Sequence, residues 1–172
     1  PKEYLLHPYY LVLRNTELYL LCRKDVFEDA DHIGKFGDVQ TFIVDNIIGL
    51  DLTDEVFDDP DVPAPEEYYE HSFGSYTDWE YCPELLIKVN KCIIRRFVKN
   101  FSNLDPKIKE IDDSICHVTF RSRDMRSVFR QLIMYGKDVE VIGPDRVRKE
   151  MIEMLEEILG VYKYKYRIKS KY

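Results

Sequence analysis

The sequence predicts a two-part β + α/β fold, in which a small barrel or strongly bent sheet is followed by an α+β sandwich, and three observations point to it. Short runs of Val, Leu, Ile and aromatic residues fill the first 52 positions, which is strand chemistry. A stretch from Asp51 to Glu84 then holds 12 carboxylates and no Lys or Arg. From Glu84 onward the apolar spacing alternates between periods of 2 and about 3.6, in the order βαββαβα. That order folds as a ferredoxin-like sandwich with one extra helix.

The front half reads as four short strands. Tyr9 to Arg14 and Leu18 to Cys22 flank Asn15-Thr16, which suits a hairpin, although Thr fits a positive φ poorly. Arg23 to Asp38 is polar, carries Gly34 and Gly37, and reads as a loop. Val39 to Val44 and Ile47 to Leu52 complete the set. About 50 residues make a thin core, so further N-terminal strands, packing on the second half, or both are expected.

The domains are therefore expected at 1–57 (β-barrel), 58–83 (acidic Pro/Tyr-rich linker), 84–162 (α+β domain) and 163–172 (basic, tyrosine-rich tail). Pro60, Pro63 and Pro65 mark the linker. The aromatics from Tyr68 to Tyr81 indicate that its second half packs on something, with a short helix from Pro65 to Phe73 and Trp79 as a packing anchor.

In the second half, Leu85 to Val89 reads as a strand and Asn90 as the N-cap of a helix to about Phe101. Ile93, Ile94, Phe97, Val98 and Phe101 form the buried stripe of that helix. Ile108 to Ile111 and Ile115 to Phe120 make a hairpin around Asp112-Asp113. Asp124 caps a second helix with Met125, Val128, Phe129 and Leu132 inward, ending at Gly136. Val139 to Ile142 is the last strand. Pro144 opens a final helix with Val147, Met151, Met154, Leu155 and Ile158 inward and Gly160 as its stop.

The net charge of -7 hides an uneven distribution. Outside the acidic stretch, 25 basic residues face 20 acidic ones, so the remainder is mildly basic. An acidic total argues against tight nonspecific DNA binding but allows a local basic groove. Cys22, Cys82, Cys92 and Cys116 match no zinc spacing and are expected as reduced thiols of a cytoplasmic protein. No apolar run reaches the roughly 18 residues that span a bilayer. The start, Pro1-Lys2-Glu3-Tyr4, has no signal-peptide pattern and no Met, so a piece of a longer protein is expected.

The run from His7 to Leu20 resembles the signature of WYL domains, in which a proline-led strand and an Asn-containing turn precede Trp-Tyr-Leu. Leu18-Tyr19-Leu20 holds the triplet position, and Thr41 to Ile47 resembles the family's Phe-Arg-Leu-Asp-Arg-Ile strand. Tyr135 to Pro144 resembles a landmark of the family's C-terminal extension. This resemblance implies an Sm-like, SH3-type barrel and its extension, taken from a bacterial transcriptional regulator. It further implies an N-terminal helix-turn-helix DNA-binding domain outside this chain, sensing of single-stranded nucleic acid or a nucleotide-like effector, and a homodimer. Where the family carries arginines, this strand has Gln40, Ile43 and Asn46. Two amides and an aliphatic side chain replace guanidiniums that grip phosphates.

Tyr10 and Tyr19, with Gln40 and Asn46, are expected on the barrel's binding face, where rings and amides suit base stacking. Sheet packing is the competing role for both tyrosines. Arg14 and Arg23 lie near the hairpin ends and stand in for the lost arginines, or are surface charges. Lys91, Arg95 and Lys99 fall at i, i+4 and i+8 on the first extension helix, while Arg123, Arg126 and Arg130 cluster around the second. Together they form an anion-binding surface, or two solvated helix faces.

Catalytic patterns are lacking. No Gly-rich phosphate loop, nucleophile elbow or His-Glu-x-x-His occurs. Cys116 and His117 are adjacent on a strand and so point to opposite faces. His32 with Asp29 and Asp31 offers weak metal chemistry at best. A non-enzymatic module without a cofactor is expected. The alternative to a sensor is a protein-interaction and dimerisation module without an effector.

Overall fold

The computed structural model describes residues 2–14, 16–24, 39–58 and 62–163. The chain divides into two units: Pro1–Cys82 with Ser122–Val128, and Pro83–Arg121 with Phe129–Tyr172.

The first unit holds an antiparallel meander of β1 (Leu6–Arg14), β2 (Glu17–Lys24) and β3 (Val39–Ile43), in that spatial order. The hairpin turn falls where the sequence placed it, since Arg14 pairs with Glu17. Thr16 there has a φ of 71°, an uncommon state for a β-branched residue. Tyr19 and Leu21 are buried on one face of β2, and Val39 faces the same way from β3. Tyr68 and Tyr69 close this core, with Tyr9, Val12 and Trp79 packed around it. The acidic stretch thus supplies core residues. Its helix, α1, is shorter than expected at Pro65–Tyr68.

One front-half expectation is corrected and another goes untested. The strand expected over Ile47 to Leu52 does not form: a 3-10 turn at Val44–Asn46 ends the sheet, and Ile48, Leu50 and Leu52 are 86%, 72% and 93% exposed. Alternation makes a strand only when a neighbour accepts its hydrogen bonds. The loop expected over Arg23 to Asp38 lies, from residue 25 on, outside the described residues, as do the tail from residue 164 and the weak metal candidates His32, Asp29 and Asp31.

The second unit follows the expected order of elements. It comprises β4 (Glu84–Asn90), α2 (Ile94–Asn100), β5 (Lys107–Glu110), β6 (Ile115–Arg121), α3 (Met125–Ile133, whose first turn is grouped with the first unit), β7 (Val139–Gly143) and α4 (Asp145–Lys163). The sheet order is β5-β6-β4-β7, antiparallel throughout. Leu85, Ile87 and Val89 lie opposite Phe120, Val118 and Cys116, and all six are nearly or fully buried. Phe97 of α2 and Phe101, its C-cap, cover this face, with Phe101 stacked on Phe120 at 5.0 Å.

Some helix boundaries differ from the sequence reading. Asn90 is the last residue of β4 and does not cap α2; its amide donates to Asp138 at 2.7 Å. A 3-10 turn, Lys91–Ile93, comes first, and α2 starts only at Ile94. Gly160 does not stop α4, which runs to Lys163. Leu155 and Ile158, expected inward, are 44% and 38% exposed, and Val147 is the only buried residue of α4 among the described residues. An amphipathic pattern records that a face needs cover, without saying which part of the molecule supplies it.

Candidate functional site

Of the residues expected on the barrel face, the structure uses two for packing. Tyr19 is 6% exposed and its hydroxyl hydrogen-bonds Glu17, which pushes its pKa up. Its placement fits the core role and leaves no ring face for a base. Arg14 lies over the Tyr69 ring at 4.3 Å and donates from Nη2 to the Ser72 carbonyl at 2.8 Å. Burial holds its pKa below the ordinary guanidinium value, opposed by Tyr69, Asp124 and Tyr19. Arg14 therefore clamps the 69–72 segment onto the sheet.

Tyr10 is 41% exposed on β1, beyond the bulge between Pro8 and Tyr10. Gln40 is half-buried opposite Cys22, and Arg23 is half-buried opposite Val39. Asn46 is exposed in the 3-10 turn and is not a strand residue.

A second clamp centres on Asp124, which is fully buried. Its Oδ1 accepts from the Ser127 amide at 3.0 Å, the capping bond the sequence indicated. Its Oδ2 accepts from the Gly74 amide at 2.8 Å, a contact no periodicity announces. A Cβ on Gly74 would meet Oδ2 at 2.6 Å and Ser127 Oγ at 2.8 Å, so only glycine fits there. Beside it, the Arg123 guanidinium lies over Trp79 at 4.9 Å, and its Nη1 donates to the Trp79 and Asp78 carbonyls at 3.3 and 3.4 Å. Arg123 thus leaves the expected nucleic-acid set. It fastens the 71–79 segment, whose His71 carbonyl accepts from the Arg123 amide at 2.8 Å. Arg126 and Arg130 stay exposed one turn apart on α3.

On α2 the expected trio separates. Lys91 pairs with Glu110 at 2.8 Å, and that hydrogen bond raises its pKa. Arg95 and Lys99 instead rim an open groove of about 350 Å³ whose floor is Ile94, Val98 and Ile108. Two cations over an aliphatic floor suit an anion that carries an apolar body. Arg96 turns away and lies 5.1 Å from the Tyr135 ring, whose hydroxyl accepts from Asn100.

Cys116 is buried while His117 lies on the other face of β6. Among the described residues no three His, Cys, Asp or Glu side chains converge as metal ligands, and no helix is long and apolar enough to cross a membrane.

The second unit is an α+β domain built on a four-stranded antiparallel sheet. Residues 84–159 match the WCX domain family, the extension associated with WYL domains. No curated protein matches the chain. Among solved structures, proteasome accessory factor B/C (PafBC) of Arthrobacter aurescens is similar over 96% of this chain and 24% of its own, at 16% identity and a TM-score of 0.44. A CRISPR Cas-related protein is similar over 91% of this chain and 43% of its own, at 16% identity and a TM-score of 0.52, a likeness of fold. The chain thus spans less than half the length of either.

Proposed function

We propose that this chain is the effector-sensing and dimerisation part of a bacterial transcriptional regulator of the WYL type, acting in the cytoplasm without catalysis or a cofactor. The match of residues 84–159 to the WCX domain carries the reading. The β1–β3 meander is read as part of an Sm-like barrel. The strand order β5-β6-β4-β7 supports a ferredoxin-like extension. The effector is single-stranded nucleic acid or a nucleotide-like anion, held by Arg95 and Lys99 over Ile94, Val98 and Ile108, with Arg130 of the same unit as a further phosphate contact. Effector binding shifts the population of homodimer geometries and so sets DNA binding by a helix-turn-helix domain outside this chain.

Fluorescence anisotropy of labelled single-stranded DNA and RNA across a salt series, with duplex as control, tests the reading. Saturable, salt-sensitive binding to single strands is expected. Arg95→Ala/Lys99→Ala should weaken it and lower the salt slope by about one for each phosphate that is no longer neutralised. No binding at low salt would overturn the polyanion effector and leave the dimerisation module without one.

A further inference from the structure

Two apolar elements of the first unit lie open to solvent. The first is the outer face of the β1–β2 hairpin. Its cross-strand pairs Leu11 with Leu20 and Leu13 with Leu18 gather four leucines, and Leu11, Leu13 and Leu18 are 65%, 71% and 37% exposed. The opposite face, with Val12 and Tyr19, already packs on the core. The second is the arm from Ile48 to Val56. Its start is tied down by the Ile47 amide donating to the Val44 carbonyl at 3.0 Å. Its end is tied down by Phe57, whose ring stacks on His7 at 4.5 Å. Between these anchors Ile48, Leu50, Leu52 and Val56 are 72% to 96% exposed.

Single exposed leucines are ordinary, but contiguous apolar patches on a soluble chain mark an interface. The arm alternates aliphatic residues with Gly49, Asp51 and Thr53, the two-residue step that matches a sheet face. Charge fits as well. The arm through Asp58 carries Asp51, Asp54, Glu55 and Asp58 and no cation, whereas the leucine face carries Lys24, over the Phe42 ring opposite Leu20, and no carboxylate of the hairpin, Arg14, Arg23 and Glu17 lying on the core side.

We propose that the occupant of the leucine face is a second copy of this chain: the arm of each protomer lies across Leu11, Leu13, Leu18 and Leu20 of its partner. Each copy carries both halves of the contact, so one two-fold axis covers two arms and two faces at once. This inference rests on the homodimer reading above and names its surface.

Light scattering on a sizing column, over about a hundredfold range of concentration, tests it. The wild-type chain is expected to be a dimer. Leu50→Asp/Leu52→Asp alters two exposed side chains, so it should keep the wild-type melting curve and circular dichroism while the dimer weakens at least about a hundredfold. Leu11→Lys/Leu13→Lys should do the same from the face. Mixed together, the two variants should recover a heterodimer, because aspartates then meet lysines at one contact and leucines meet leucines at the other. A dimer that survives either double substitution, or a mixture that stays monomeric, overturns the arm while leaving the homodimer in place, with the exposed side of α4 the next surface to vary. A wild-type chain that is monomeric throughout overturns both readings.

Discussion

The second unit covers its sheet with its own helices, whereas the first unit holds its sheet with clamps. In the second, Leu85, Ile87, Val89, Phe97, Phe101 and Val118 are wholly buried, and the elements that bury them are neighbours in a regular βα alternation. In the first, a three-stranded meander depends on Tyr68 and Tyr69 and on the Arg14 and Asp124 hydrogen bonds to the irregular 69–74 segment. Three strands bury little by themselves. Each unit therefore fails in its own way: the second through missing volume, the first through broken polar geometry.

The largest expected effect is in the second unit. Phe97→Ala removes a ring 4.7 Å from Phe101 and 5.4 Å from Tyr135, and should cost about 3–5 kcal/mol in denaturant unfolding. A loss below about 1 kcal/mol would mean that the α2 face repacks, and the contrast between the units would fade. Next comes the first unit's clamp. Asp124→Ala strands the buried Gly74 amide and uncaps α3, a loss of about 2–3 kcal/mol by thermal or denaturant melting. Should Asp124→Asn retain full stability, geometry and not charge holds the clamp. Smaller still, Gly136→Ala forces a φ of 56° on a residue with a Cβ, in open space, at about 1 kcal/mol.

Thiol labelling sharpens the comparison without changing a core. Cys92 is exposed and should react with a disulfide reagent fastest, while Cys22 and Cys116 are buried and should react only on unfolding. Burial pushes the Cys22 thiol up to about 11. Above about pH 9 the unfolded chain releases this proton while the folded chain keeps it, so stability falls as pH rises to about 11. The smallest effect is at Glu140, where Arg148 and then Lys88 hold the carboxyl below its usual range. That contribution is present above the ordinary carboxylate value and fades as pH falls through the depressed one. Because Glu140 is well exposed, salt should erase it, and an Arg148→Ala variant should differ little from the parent in an acid titration.

Local physics was legible in the residues alone. The period-2 runs of β4 and β6, the 3.6-residue stripe of α3 and the Asp124 cap are each set by residues within a turn or a strand of one another, whereas α3 ends at Ile133, short of the Gly136 expected as its stop. The cationic pair Arg95 and Lys99 was likewise visible as an i, i+4 spacing. Everything else waited on the fold, because the partners lie far apart in the chain. Arg14 reaches Ser72 across 58 positions and Asp124 reaches Gly74 across 50, and those separations turned an expected ligand-binding arginine into a clamp and made the acidic stretch part of a core. Ile108, brought beside Ile94 and Val98, supplied a floor for the cations that helix spacing could not show. Apolar alternation at Ile48 to Leu52 specified a segment that wants a sheet, and only the fold revealed that its own sheet ends before reaching it.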